Sequence, residues 1–314
     1  MKTIKQIERN DCSFISHKHI MYYVTGGCMF KCPYCDTINN NSLNTDIDNQ
    51  KVIVDTLFKL NEPFEIYLYG GEPTEYIYIH ELISYILTKQ SKYFLGIELQ
   101  TNLNVSQSEL EKFCSYENFV ISPSIHLTFL KNDDTHTLLN KMIYINTTGK
   151  LNRIDFMLER WKYDDHIMMI DLLKEHKLHE KVIYAKNFYE FNGDDSYTGR
   201  FNNYKYDSVL SGTTNQESYY LTYEDGQREL RTLNDLVPEH ISFKGWYCDA
   251  RRFLIWLHYS GDWWECNVAY KKRKPKGNLL ENENHFLSTC KYPVKCNIDK
   301  CDNCFFVKKW KSDV

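Results

Sequence analysis

The first 186 residues alternate between short apolar runs and longer segments with apolar positions at helical spacing. Residues 19–24 (HIMYYV) predict a strand that ends at Gly26-Gly27. Residues 47–60 carry a helical pattern behind Asp46, whose carboxylate suits an N-cap. Residues 65–69 (EIYLY) predict a second strand, ending in Gly70-Gly71, and residues 75–89 a second helix. The next two strands, 95–103 (LGIELQTNL) and 119–128 (FVISPSIHLT), alternate in character. One puts Glu98, Gln100 and Asn102 on a single face, the other Ser122, Ser124 and His126. Residues 153–158 and 181–186, separated by a helical 164–176, complete six predicted strands. Strands joined by mostly helical connections predict β/α units and a parallel sheet.

Polar residues on one face of successive strands are unusual in a parallel sheet covered on both sides. A barrel or partial barrel whose strands line a ligand cavity accounts for them; so does a set of solvated edge strands. After residue 186 the composition shifts to Asn, Tyr, Gly, Ser and Asp, which predicts a polar connector. It carries its own hairpin, 219–223 with 228–232 around Glu224-Asp225-Gly226. A cysteine-rich stretch follows, so the chain divides into 1–186, 187–242 and 243–314.

Charge and composition narrow the function. A net charge of −4 over 314 residues argues against general nucleic-acid binding. The local run at 271–276 (KKRKPK) is either a solvated loop or a device for steering an anionic partner. The opening MKTIKQIERN holds no apolar run suited to a signal peptide, and the longest apolar stretch, 253–257, is too short to span a bilayer. A cytoplasmic location with no membrane partner is expected, and there thiols stay reduced. The 11 cysteines then read as metal ligands rather than disulfides. Cys12 and Cys114 stand alone and read as small buried hydrophobes.

Cys28, Cys32 and Cys35 place three thiols on one short loop directly after a strand. Three protein ligands rather than four leave a position open for chemistry. A three-cysteine zinc site and chance spacing are the other readings of that pattern. The segment CMFKCPYC resembles the C-x3-C-x2-C signature of the radical S-adenosylmethionine (SAM) superfamily. The resemblance implies a [4Fe–4S] cluster whose open iron is chelated by SAM. One electron, from an external donor, then cleaves SAM to methionine and a 5′-deoxyadenosyl radical that abstracts hydrogen from a substrate. Tyr34 matches the family aromatic that contacts adenine. Gly70-Gly71-Glu72-Pro73 matches the family's GGEP motif, whose Glu accepts a hydrogen bond from the SAM ammonium. Gln100-Thr101-Asn102 resembles the third-strand TN element, with Leu103 in place of the usual Gly. Ser122 and Ser124 match the position of a SAM-contacting serine. Arg160 is a candidate for the SAM carboxylate or a surface ion pair, and His126 a substrate-side group or a core histidine.

The last stretch reads Cys248-x12-Gly261-x4-Cys266, then Gly277-Asn278, Cys290, Cys296 and Cys301-x2-Cys304. The segment WYCDARRFLIWLHYSGDWWECN predicts a hairpin around Ser260-Gly261 with a cysteine on each arm. This region resembles the SPASM/twitch auxiliary-cluster domain. The resemblance implies at least one auxiliary [4Fe–4S] cluster held by Cys248, Cys266, Cys301 and Cys304. The later cysteine order departs from the full SPASM pattern, so Cys290 and Cys296 replace a member, support an incomplete second cluster, or are structural. A zinc ribbon is the alternative for the whole region. Asp249 and Arg251 face the substrate or balance charge at the surface. The expected fold is α/β, a partial (β/α)6 barrel radical SAM core with a small C-terminal cysteine-rich α+β auxiliary-cluster domain.

The expected activity is radical modification of a peptide or protein side chain, as by a maturase. The alternatives are modification or dehydrogenation of a small molecule, nucleoside or nucleic acid, and a zinc-binding interaction module. With the first predicted strand at residue 19, a peptide is expected to be recognised by the barrel, the connector or a separate partner.

Overall fold

The computed structural model describes residues 3–9, 16–30, 32, 35, 46–127, 132–158, 162–186, 218–232, 242–266, 269, 274–296 and 308–311. Strand β1 (Ile4–Arg9) precedes a run of β/α units: β2 (Lys18–Thr25), α1 (Ile47–Leu57), β3 (Phe64–Gly70), α2 (Ile79–Thr88), β4 (Phe94–Thr101), α3 (Gln107–Cys114), β5 (Phe119–Ile125), α4 (Asn132–Thr147), β6 (Ile154–Leu158), α5 (Tyr163–Glu175) and β7 (Val182–Lys186). The helices start where the sequence supplies caps. Asp46 accepts the Asp48 N–H and Ser106 the Glu109 N–H, each satisfying a donor that the first turn leaves open. The helix expected from residue 75 begins at Ile79. Pro73–Glu75 instead forms a 3-10 turn capped by Glu72, and Tyr76 returns to extended backbone.

The remaining elements are β8 (Ser218–Tyr223), β9 (Arg228–Thr232), β10 (Tyr247–Cys248), the short α6 (Ala250–Phe253), β11 (Leu254–His258), β12 (Asp262–Trp264), β13 (Gly277–Asn278), α7 (Glu283–Thr289), β14 (Val294–Lys295) and β15 (Lys309–Trp310). Among the described residues the strands form two sheets. The larger runs β13-β12-β11-β2-β3-β4-β5-β6-β7, parallel from β11 to β7 and antiparallel through β12 and β13. The smaller, β14-β10-β15-β1-β8-β9, is antiparallel throughout. The fold is α/β with mixed sheets.

Chain order alone does not show two of these pairings. β11 lies in the cysteine-rich stretch yet adds a seventh parallel strand beside β2, with Leu254 opposite His19. β1 leaves the first segment to pair with β8 and β15. Lys18 fastens the first of these junctions. It is buried, and its Nζ donates to the Cys290 carbonyl at 2.9 Å and to the carbonyl of Arg252. On the same side, Glu283 of α7 accepts from Lys59 at 2.5 Å, just beyond α1.

One face of the parallel sheet carries Ile20, Tyr22, Ile66, Leu68, Ile97, Leu99, Ile121, Ile154, Phe156, Ile255 and Leu257. These pack with Ile53, Leu57, Leu82, Ile86, Leu110, Phe113 and Phe286 from the helices, and such burial is the main favourable term in folding. The opposite face holds the polar set predicted from alternation, and it is buried rather than solvated. Tyr67, Glu98 and Ser122 are 3%, 6% and 0% exposed. The edge-strand explanation of that pattern therefore fails. A second core, with Tyr219, Leu221, Trp246, Leu254, Trp256 and Trp264, packs against Met21 and Tyr69 of β2 and β3.

Candidate active site at the cysteine loop

The cysteine loop leaves the end of β2 and is tied directly to the turn after β3. Gly71 N donates to Thr25 O at 2.8 Å, and Glu72 N to Gly27 O at 2.7 Å. A Cβ on Gly71 would overlap the Gly27 carbonyl, so the second glycine is required by backbone-to-backbone contact. Farther along, Glu75 accepts the Met29 N–H through both carboxylate oxygens at 3.0 Å. The GGEP turn is thus the floor on which the thiol loop sits.

Glu72 is buried and ties three strand ends together. Oε1 accepts from Thr74 N at 3.1 Å and Thr74 Oγ1 at 2.7 Å, while Oε2 accepts from Asn102 N at 2.7 Å. Burial pushes its carboxyl above the ordinary range in spite of these donors. Burial also pushes the Cys28 thiol up to about 12, and the nearby Glu72 and Glu75 carboxylates add to the rise. The corner is therefore acidic and suits a cationic group beside the thiols.

Leu103, at the position where the resemblance would have glycine, adopts φ +59° and is buried. Its amide donates to Thr101 Oγ1 at 3.0 Å, and Lys141 Nζ donates to the Leu103 and Val105 carbonyls at 3.0 and 2.7 Å. The left-handed backbone that glycine would supply is retained, held by packing and by Lys141.

On β5 the two candidate serines separate. Ser122 is fully buried and donates to Glu98, deeper in the sheet. Ser124 sits near the strand end, 3.0 Å from His126 Nε2. His126 Nδ1 lies 3.7 Å from Cys32 Sγ, and burial lowers its pKa to about 4, so the ring is neutral. His126 thus borders the thiol loop, a placement the strand pattern alone left open.

Below these groups lies a network that sequence reading named only in part. Arg153 pairs with Glu98 at 2.8 Å and Asp155 at 3.2 Å and contacts the Tyr67 hydroxyl; Gln100 donates to Asp155 at 2.9 Å. Alternation showed Glu98 and Gln100. Arg153 and Tyr67 carried no motif.

In the cysteine-rich stretch, Cys248 and Cys266 share the second core, and Cys296 packs against it. Backbone bonds hold Cys296 beside the Cys248 strand: Cys296 N to Trp246 O and Gly245 N to Cys296 O, both 2.7 Å. Cys290 is different. It is fully buried in the other core, among the helices. Gly261 has φ +87°, and a Cβ there would come within 2.8 Å of Asn278 Oδ1. Asn278 Nδ2 donates to Ser260 O and Asp262 Oδ1, both at 2.9 Å, so the GN pair docks on the hairpin turn. Asp249 pairs with Arg252 at 3.1 Å, and Arg251 donates to the Tyr292 and Pro293 carbonyls at 3.0 Å. Both therefore make contacts within the region. Tyr34, Arg160, Cys301 and Cys304 lie outside the described residues.

Three of the thiols share a local geometry. Cys28 Sγ accepts the Phe30 N–H, Cys248 Sγ the Ala250 N–H at 3.4 Å, and Cys266 Sγ the Ala269 N–H at 3.4 Å. Lys309 Nζ adds a second donor to Cys248 at 3.1 Å. Donors two or three residues on stabilise charge on sulfur and tune iron–sulfur groups, so these residues fit such a group.

No family model matches the chain. The uncharacterized protein MJ0907 of Methanocaldococcus jannaschii is 28% identical over 94 residues, 30% of this chain and 33% of that protein. Among solved structures, Streptococcus suis SuiB bound to S-adenosylmethionine matches with TM-score 0.58 and 18% identity, over 88% of this chain and 66% of SuiB. SuiB bound to precursor peptide SuiA matches with the same TM-score and identity, over 88% of this chain and 65% of SuiB. Native anSMEcpe with bound AdoMet and Kp18Cys peptide matches with TM-score 0.56 and 14% identity, over 87% of this chain and 82% of that one. The chain thus spans a third of the curated relative's length and just under two thirds of SuiB's. It has the fold of these S-adenosylmethionine-bound proteins.

Proposed function

We propose that this chain is a radical SAM enzyme that acts on a peptide or protein side chain. The observation that carries the reading is the acidic corner where Gly71 and Glu72 bond to the start of the cysteine loop. It sets two carboxylates, Glu72 and Glu75, beside Cys28. Cys28, Cys32 and Cys35 would hold a [4Fe–4S] cluster. When bound, that cluster supplies an electron to the sulfonium of SAM, which yields methionine and a 5′-deoxyadenosyl radical able to take hydrogen from a substrate.

The chain's own residues prepare for this. Glu72, fixed by Thr74 and Asn102, offers its carboxylate to the SAM ammonium, and Tyr34 and Arg160 are assigned to the adenine and carboxylate by their motif positions. Neutral His126, in contact with Ser124, borders Cys32 and is assigned to the substrate side. The parallel strands are read as a partial barrel with these groups at its C-terminal end, where active sites of β/α barrels form. Cys248 and Cys266, with Cys301 and Cys304, are assigned to an auxiliary [4Fe–4S] cluster, as in SPASM/twitch domains. Cys296 stands beside that set, and Cys290 serves the helical core. Peptide is the preferred substrate class because SuiB and anSMEcpe, which share the fold, were both solved with peptides.

Anaerobic reconstitution followed by reduction with SAM tests the proposal. The wild type is expected to bind iron and sulfide and to form 5′-deoxyadenosine, and Cys28→Ala to lose that product. A colourless, zinc-loaded protein that leaves SAM intact would overturn the reading.

A further inference from the structure

A second group of ligand-type side chains lies at the opposite end of the same strands. His17 and His19 are two residues apart, so they share a face, and His19 stands beside Glu65 in the parallel register of β2 and β3. His19 Nδ1 contacts Glu65 Oε1, and His17 Nε2 lies 3.3 Å from Glu65 Oε2. The imidazole rings are 4.4 Å apart, and all the potential ligand atoms fall within 4.8 Å of one another. We propose that His17, His19 and Glu65 bind a single divalent transition-metal ion of the zinc class.

Three features support a metal rather than a simple hydrogen-bonded pair. Ligands on a tetrahedral zinc ion, with bonds of about 2.0–2.1 Å, stand roughly 3.3 Å from each other, the spacing of His17 Nε2 and Glu65 Oε2. That His17 nitrogen is buried and faces the Glu65 carboxylate without a well-aligned hydrogen bond; a metal ion shared by the two would satisfy it. The other nitrogen of the ring, Nδ1, is 2.9 Å from Ser16 Oγ, an outer contact of the kind that orients metal-binding histidines.

The surroundings leave the site available. Arg153, on the same face, is engaged by Glu98, Asp155 and Tyr67, and Lys18 points to the opposite face. The His17 and Glu65 side chains are 18% and 25% exposed, which gives an ion a way in. Two imidazoles and a carboxylate form a nitrogen and oxygen donor set that leaves a fourth position for water. At a rise of about 3.3 Å per residue, His19 lies roughly 20 Å along β2 from Thr25, where the cysteine loop begins. The ion would clamp the starts of β2 and β3 and take no part in holding the cysteine-bound group.

Cobalt(II) is the probe, because its spectrum reports its ligands. The full chain is titrated with cobalt(II), both as wild type and with Cys28, Cys32 and Cys35 all changed to Ala. The expected result in both proteins is one equivalent with ligand-field absorption and no thiolate charge transfer, distinct from any cobalt held by Cys248, Cys266, Cys301 and Cys304, lost when Glu65→Gln is added and displaced by zinc(II). Glu65→Gln keeps the size of the side chain and an acceptor for His19; it and His17→Ala should each weaken binding at least tenfold. Ser16→Ala should weaken it about tenfold. Wild-type affinity in Glu65→Gln and His17→Ala overturns the proposal. So does a wild type, or a folded triple variant, that binds no cobalt or in which all the bound cobalt shows thiolate-type absorption. Neither outcome depends on SAM cleavage, so this site and the radical reading fail separately.

Discussion

Gly71 and Glu72 carry adjacent demands of opposite kinds, one steric and one electrostatic. Gly71→Ala would force a methyl group into the Gly27 carbonyl and push the GGEP turn off the thiol loop. We expect a loss of about 1–3 kcal/mol in urea unfolding, together with reduced iron retention. For Glu72, burial holds the folded carboxyl's pKa above that of the unfolded chain. The folded state therefore binds the proton more tightly, and ionisation costs stability. The loss begins as pH rises through the ordinary carboxylate range and is complete once the raised folded value is passed. Glu72→Gln removes this slope, so its thermal midpoint should gain on the wild type as pH rises across that window. Equal pH profiles for the two proteins would contradict it. The same variant should bind SAM more weakly, because the carboxylate offered to the ammonium is gone.

At the scale of elements, the junction between β2 and β11 joins the two ends of the chain. Lys18 lies on the helical face of β2 and donates to backbone carbonyls at the end of α6 and just after α7. Lys18→Met keeps the apolar stem but leaves those buried carbonyls without their donor. The expected cost is about 1–3 kcal/mol. Limited proteolysis should then cut first within residues 242–296, while β3 to β7 stay protected. Uniform proteolysis along the chain would show that Lys18 is not the fastening point. The hairpin of β11 and β12 is stiffened separately, by Asn278 bonded across the Gly261 turn.

Across the whole molecule, the second core brings Cys248 and Cys266 to the face of the sheet that carries Met21 and Tyr69, on the strands that lead to the cysteine loop and the GGEP turn. If this second core holds an auxiliary cluster, Cys248→Ser should lower iron content by about four atoms per chain while 5′-deoxyadenosine still forms. Substrate turnover should fall much further than SAM cleavage. Unchanged iron content in Cys248→Ser would remove Cys248 from the ligand set.

Much of this was legible along the chain, because it depends on spacing and period. Alternation exposed Glu98, Gln100, Ser122 and Ser124, since a strand turns every second side chain to one face whatever lies beyond it. The order of thiols, GGEP turn and strand ends follows from β/α repetition, the Asp46 cap from its side-chain chemistry, and the turn at Gly261 from glycine between two apolar runs. Other features required the folded chain. Ser122 and Ser124 look equivalent in sequence, yet one is taken by Glu98 and the other meets His126, a difference of depth that alternation cannot express. Cys290 and Cys296 are six positions apart and lie in different cores, because α7 ends on the helical side before β14 returns to β10. The pairing of β11 with β2, the Arg153 network and the meeting of His17 and His19 with Glu65 all join segments distant in sequence. The sequence by itself determined where the thiols cluster along the chain and where each strand's polar face lies. Tertiary structure decided which of those residues meet, since contacts across strands depend on register and sheet order, which no local pattern encodes.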